Sequence, residues 1–147
     1  MMFQATAIQL PFWQDPQGPL AVAIFESTCQ VFFALWDLDR NQISDCLGKV
    51  TFSKCWATRT VGTEYSHYCP TPHGFHSYLL EVEESAWLTE QSQNRLETYP
   101  NWLNWDKTTY HHYVVEGAGS YVEVIAAGFA AEMASAQECR HYAFLLD

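Results

Sequence analysis

The stretch Tyr110-His111-His112-Tyr113-Val114-Val115-Glu116-Gly117-Ala118-Gly119-Ser120-Tyr121-Val122-Glu123-Val124-Ile125-Ala126 decides how this chain is read. Two runs rich in Val, Ile and Tyr flank Gly117-Ala118-Gly119, and glycine supplies the positive φ that tight hairpin turns require. His111 to Glu116 and Ser120 to Ala126 are therefore expected as paired strands. A two-residue and a four-residue loop give the same register. It sets Glu116 opposite Tyr121, Val115 opposite Val122, Val114 opposite Glu123, Tyr113 opposite Val124 and His112 opposite Ile125. Tyr113, Val115, Val122 and Val124 then share a core face. The other face gathers His112, Val114, Glu116, Tyr121, Glu123 and Ile125, with Glu123 diagonal to both His112 and Glu116. An imidazole beside two carboxylates and a phenol is an acid/base or ligand-gripping set, so His112, Glu116, Tyr121 and Glu123 are the candidate catalytic residues. A three-residue loop would send Glu123 to the face opposite His112 and dissolve the set.

Working outward, Thr6 to Leu10 reads as a short first strand, followed by a loop over Phe12 to Pro19, where two prolines and a glycine break any ladder. Leu20 to Glu26 and Gln30 to Trp36 read as strands, the second apolar on both parities and so buried on both faces. After the polar turn Asp37 to Asp45, Leu47 to Val61 reads as one alternating strand, with Val50, Phe52 and Trp56 on one face and Thr51, Ser53 and Arg59 on the other. A Pro/His/Gly loop over Ser66 to Gly74 precedes a short strand, Ser77 to Val82. Ser85 then caps a helix running to about Leu96, with Glu83 and Glu84 where the helix dipole favours negative charge. Pro100 stops any continuation, and Asn101 to Lys107 is a loop anchored by Trp102 and Trp105. The tail beyond Ala127 fits strand or helix, and strand is the expectation. The sum is an α+β fold, an antiparallel or mixed sheet of about six strands with one or two packed helices, in a single domain over residues 1–147.

The 147 residues include nine Phe, eight Tyr and six Trp, ample apolar material to offset the chain entropy lost on folding. A net charge of −10 repels phosphate backbones, so no nucleic-acid partner is expected. Among the seven cations only Lys49, Lys54 and Arg59 fall close together, with Lys54 on the strand face opposite the other two. No run of eighteen apolar residues occurs, so no membrane partner is expected either. The start of the chain lacks the charged and apolar regions of a signal peptide, and five cysteines without a C-x-x-C pair suit reduced thiols. The expected compartment is the cytoplasm.

Phosphate-binding glycine loops, G-x-G-x-x-G, G-x-S-x-G and H-E-x-x-H are all missing from the sequence. Asp37-Leu38-Asp39-Arg40-Asn41 opens like a calcium loop, but Gln42 and Gly48 stand where glycine and a bidentate glutamate are required, which leaves a polar turn. His67, Cys69, His73 and His76 form the one metal candidate, a ligand mixture that suits zinc at a spacing matching no common structural zinc pattern. Cys69 is also a candidate nucleophile, with His67 or His73 as base. Trp87, Tyr99, Trp102 and Trp105 lie on or after the helix, as core anchors or as the lining of an apolar pocket.

Glu84-Ser85-Ala86-Trp87-Leu88, Tyr110 to Val115 and Tyr121 to Ala126 together resemble a group of small bacterial proteins, cyanobacterial among them, that carry no assigned function. The resemblance covers about the second half of the chain. It implies that Ser85 opens a helix and that the His112 and Glu123 segments are paired strands, and it implies no activity. With no cofactor motif and a surplus of large aromatics, the expected role is a non-catalytic intracellular binding or interaction domain, with self-association as a homodimer. The alternative is a small enzyme using His112 and Glu123, or a metal-binding loop at His67 to His76.

Overall fold

In the computed structural model, which describes residues 3–71 and 78–147, the β-branched and aromatic runs form ten strands in two sheets. The strands are β1 (Phe3–Ala7), β2 (Leu20–Phe25), β3 (Thr28–Asp37), β4 (Gln42–Ser53), β5 (Ala57–Val61), β6 (Tyr68–Thr71), β7 (Leu79–Val82), β8 (His111–Gly117), β9 (Ser120–Ala126) and β10 (Gly128–Met133). The helices are α1 (Ala86–Thr98), α2 (Trp102–Trp105) and α3 (Ala136–His141), the last followed by a 3-10 turn over Ala143–Leu146. One sheet has six strands in the order β5-β9-β8-β7-β1-β6, antiparallel except for the parallel pair β1 and β6. The other has four antiparallel strands, β10-β4-β3-β2. This is an α+β fold with a mixed sheet of six strands, as expected, and with a second sheet that was not.

Alternation along the strands divides the apolar side chains among three clusters. Val31, Phe33, Val50 and Phe52 of the smaller sheet meet Leu79, Tyr113, Val115, Val122 and Val124 of the larger one, so the main core lies between the sheets. Phe32, Ala34 and Leu47, on the other face of the smaller sheet, are covered by Leu145, Tyr142 and Cys139 of the C-terminal segment. On the outer face of the larger sheet, Ala5, Ala7, Leu80, Val114 and Tyr121 form a third cluster, and this is the face that carries the site.

Several sequence expectations are corrected. The alternating run Leu47 to Val61 is two strands in different sheets: the chain turns a corner at Lys54, whose φ is +47°, and leaves the four-stranded sheet for the six-stranded one. Backbone bonds from Cys55 N to Ser27 O (2.7 Å) and from Trp56 N to Ile125 O (2.8 Å) hold that corner. Alternation cannot reveal such a corner, because the pattern continues through it. The first strand is Phe3–Ala7 rather than Thr6 to Leu10, and part of the expected loop Ser66 to Gly74 is strand β6, paired with β1. Trp102–Trp105 is a single helical turn, not loop. The tail is both strand and helix, β10 and then α3 capped by a Ser135–Glu138 capping box. Among the described residues no helix is long and apolar enough to cross a membrane.

Candidate active site

The β8–β9 hairpin has the register expected from its sequence, with Val114 opposite Glu123, His112 opposite Ile125 and a two-residue turn at Ala118-Gly119. Gly119 takes φ +72°, the conformation for which glycine suits the turn. His112 and Glu123 therefore share the outer face of the sheet, and His112 Nε2 lies 2.8 Å from Glu123 Oε1.

Two neighbouring strands complete the group. On one side of the hairpin, β5 sets Arg59 directly opposite Glu123, and its Nε donates to Oε2 at 2.5 Å. On the other side β7 pairs Val82 with His112 and then turns through Glu83-Glu84, where Glu84 takes φ +52°. Ser85 follows as the N-cap of α1, its Oγ accepting the Leu88 N–H at 3.0 Å and lying 2.6 Å from His112 Nδ1. The sheet is curled enough for Tyr68 on the edge strand β6 to reach β9, four places away in the strand order, where its hydroxyl donates to Glu123 Oε1 at 2.6 Å. Ser85, His112 and Glu123 are buried, whereas the Arg59 side chain is 46% exposed.

The ionisation of Glu123 assigns the proton on His112 Nε2. Burial pushes the Glu123 carboxyl up, but the bonds from His112, Arg59 and Tyr68 outweigh it and bring the pKa down to about 2. Glu123 is therefore an acceptor only, and His112 Nε2 carries the ring proton that bonds it. In the neutral ring Nδ1 then has no proton and accepts the Ser85 hydroxyl, whose oxygen also accepts the Leu88 N–H. A hydrogen-bonded chain thus runs from Ser85 through His112 to Glu123. Burial, reinforced by the adjoining carboxylate, raises the Tyr68 phenol, which keeps its proton as a donor.

A cleft of about 410 Å³ opens over this chain, with Arg59, Tyr68, Val82, Ser85, Trp87 and His112 among its walls. The Trp87 ring lies 4.1 Å from the Arg59 guanidinium carbon and edge-on to His112, with ring centroids 5.0 Å apart. Arg59 is thereby held between an indole and a carboxylate.

The remaining sequence candidates fall elsewhere. Glu116 shares the site face but bonds Ser66 (2.7 Å), and burial raises its pKa in spite of that bond. Tyr121 packs with Leu80 and Val114, and Tyr68 is the phenol that meets Glu123. Of the aromatic four, Trp87 lines the cleft, while Trp102 and Trp105 surround Arg95 and Tyr99 stacks edge-on against Trp105. Of the metal candidates, His67 is exposed and Cys69 sits half-buried in β6 opposite Gln4, while His73 and His76 lie outside the described residues. Among the described residues no three His, Cys, Asp or Glu side chains are placed to hold a metal. Asp37 Oδ1 accepts from the backbone of Asp39 and Arg40, the bonding of a polar turn.

Sequence reasoning missed Ser85, Arg59 and Tyr68 as partners of the pair. The N-cap at Ser85 was legible, but its second bond depends on β7 lying beside β8. Tyr68 gave no local signal, because Pro70 interrupts its strand. No protein-family model, no curated protein and no solved structure matches this chain.

Proposed function

We propose that the cleft is the active site of a small acyl-transfer enzyme, a hydrolase of esters or related acyl compounds in which Ser85 is the nucleophile. The observation that carries this reading is the Ser85 Oγ to His112 Nδ1 contact of 2.6 Å, backed by the 2.8 Å contact of His112 with buried Glu123. In the reaction, Ser85 Oγ attacks the carbonyl carbon and its proton passes to Nδ1, while Glu123 balances the imidazolium. The oxyanion develops beside the first turn of α1, where the N–H groups of Ala86 and Trp87 have no intrahelical acceptors and the helix dipole is positive. Collapse breaks the bond to the leaving group, which takes the proton from Nδ1. Water, deprotonated by the same nitrogen, then attacks the acyl carbon, and the bond to Ser85 Oγ breaks as Oγ takes that proton back from Nδ1 and the acid is released.

Two features of the chain support this assignment. Ser85 stands at a strand-to-helix turn with a non-glycine residue at positive φ beside it, strain of a kind that gathers at functional sites. The relay is also fully bonded, so its groups are held in place before any ligand arrives. It differs from the usual triad in the ring nitrogens, since here the serine meets Nδ1 and the carboxylate Nε2.

The test is reaction with a fluorophosphonate probe. One adduct on Ser85 in the wild type, its absence in Ser85→Ala and a rate at least tenfold lower in His112→Phe are the expected results. A folded wild type that acquires no adduct at Ser85 overturns the reading. The interaction role expected from composition has its support at a different surface, the edge strand β2.

A further inference from the structure

We propose that the protein forms a two-fold homodimer by antiparallel pairing of strand β2 with β2 of a second copy, joining two four-stranded sheets into one of eight. Strand β2 stands at the edge of its sheet and, among the described residues, pairs with β3 along one side only. Edge strands present a free row of N–H and C=O groups, and proteins guard them with charge, proline or short length. The other three sheet edges follow that rule: β5 carries Arg59, β6 carries Pro70 and β10 carries Glu132. Strand β2 reads Leu-Ala-Val-Ala-Ile-Phe, six residues with no charge, proline or glycine.

Its two faces point the same way. Leu20 and Val22 pack on the core between the sheets, while Ala21 and Ala23 pack on the cluster covered by the C-terminal segment. A strand that is apolar on both faces has the pattern of a sheet interior, yet this one is at an edge. Ile24 and Phe25, at its end, are 55% and 53% exposed.

Self-pairing suits this pattern, because each copy offers the other a strand that is apolar on both faces. A two-fold axis normal to the sheet brings residues of like parity together, so that with the axis at Val22, Leu20 faces Ile24 and Ala21 faces Ala23 of the second copy. The core-facing row of one copy then continues into that of the other. The six paired residues carry no charge, although in this register Glu26 comes opposite Gly18 of the second copy, beside Asp15. The nearest carboxylate in sequence, Glu26, would lie roughly 27 Å from its counterpart along the paired strands, well beyond the screening length of physiological salt.

The experiment is solution mass by light scattering on the full chain across the micromolar range, with amide exchange on the same samples. The wild type should approach twice the 16.9 kDa of one chain as concentration rises, with slower exchange at alternate amides of Leu20–Phe25. The double variant Ile24→Lys, Phe25→Lys changes only exposed side chains and should remain at the single-chain mass with an unchanged circular dichroism spectrum. A wild type that stays monomeric throughout overturns the homodimer and leaves β2 to a strand of a different protein. A dimer that persists in the double variant, or that forms without added protection in β2, overturns the assignment to this edge. Should the double variant fail to fold, the wild-type exchange decides the matter alone.

Discussion

Glu123 lies diagonally across the β8–β9 hairpin from His112, and its Oε1 meets His112 Nε2 at 2.8 Å with both side chains buried. Val114 occupies the place directly opposite Glu123, and Arg59 the place opposite on the other side. A buried carboxylate is costly unless donors surround it, and Glu123 has three: His112, Arg59 and Tyr68. The same bonds attach α1 to the sheet, because Ser85 caps the helix and bonds His112 at once.

Replacement of Ser85 by alanine should therefore act in two ways. Loss of the cap costs about 1 kcal/mol, and leaving His112 Nδ1 buried without its partner adds a further 1 to 2 kcal/mol, roughly. Urea denaturation should show a loss of about 2 to 3 kcal/mol, and fluorophosphonate labelling should vanish. Ser85→Asn, which retains a capping side chain, should recover part of the stability and none of the labelling. Labelling that survives in Ser85→Asn would place the reactive group at a different residue.

The hairpin could be read from sequence because its register depends only on turn length and a period of two, both local. The six-stranded order could not, since it depends on where the chain leaves one sheet for the other. Lys54 marks that place with a left-handed φ that no residue type announces, lysine having no special preference for it. Arg59, counted along the run from Leu47, fell on the face of Thr51 and Ser53, and only the corner brings it to the cleft. Tyr68 and Glu123 meet because the sheet curls, a property of its packing rather than of either segment.

Acid should weaken the fold through Glu123 in a defined window. Its folded pKa of about 2 lies below the ordinary value of 4.5, so the carboxylate stabilises the protein above pH 4.5, and that contribution is lost as pH falls towards 2. The gap corresponds to about 3 kcal/mol. Comparison of the wild type with Glu123→Gln by denaturation at neutral pH and at successively lower pH isolates this contribution, because the other carboxylates are common to both. The stability difference should be largest at neutral pH and shrink steadily below pH 4.5. A difference that stays constant down to pH 3 would mean that the network holds Glu123 by shape and not by charge.

The far end of α1 should prove equally dependent on one side chain. No residue of α1 is buried, so the helix is held mainly at its ends. Arg95 lies 4.8, 4.5 and 5.0 Å from the rings of Trp56, Trp102 and Trp105, and its Nη1 bonds Asp106 at 2.9 Å. Asp106 is itself held well below the usual carboxylate range, by the Tyr110 hydroxyl and by Thr108 and Arg95. Stacking of a planar guanidinium on a partly dry indole is worth about 1 to 2 kcal/mol, so Arg95→Ala should lose about 2 kcal/mol and expose the indoles. A red shift in tryptophan emission and faster amide exchange at the end of α1 should accompany the loss. Arg95→Lys keeps the charge but not the plane, and should recover less than half of the stability. Labelling of Ser85 should change by no more than about twofold in either variant, because its bond to His112 sits at the opposite end of the helix. Full recovery in Arg95→Lys would show that the ion pair with Asp106 suffices, and that the three indoles contribute packing alone.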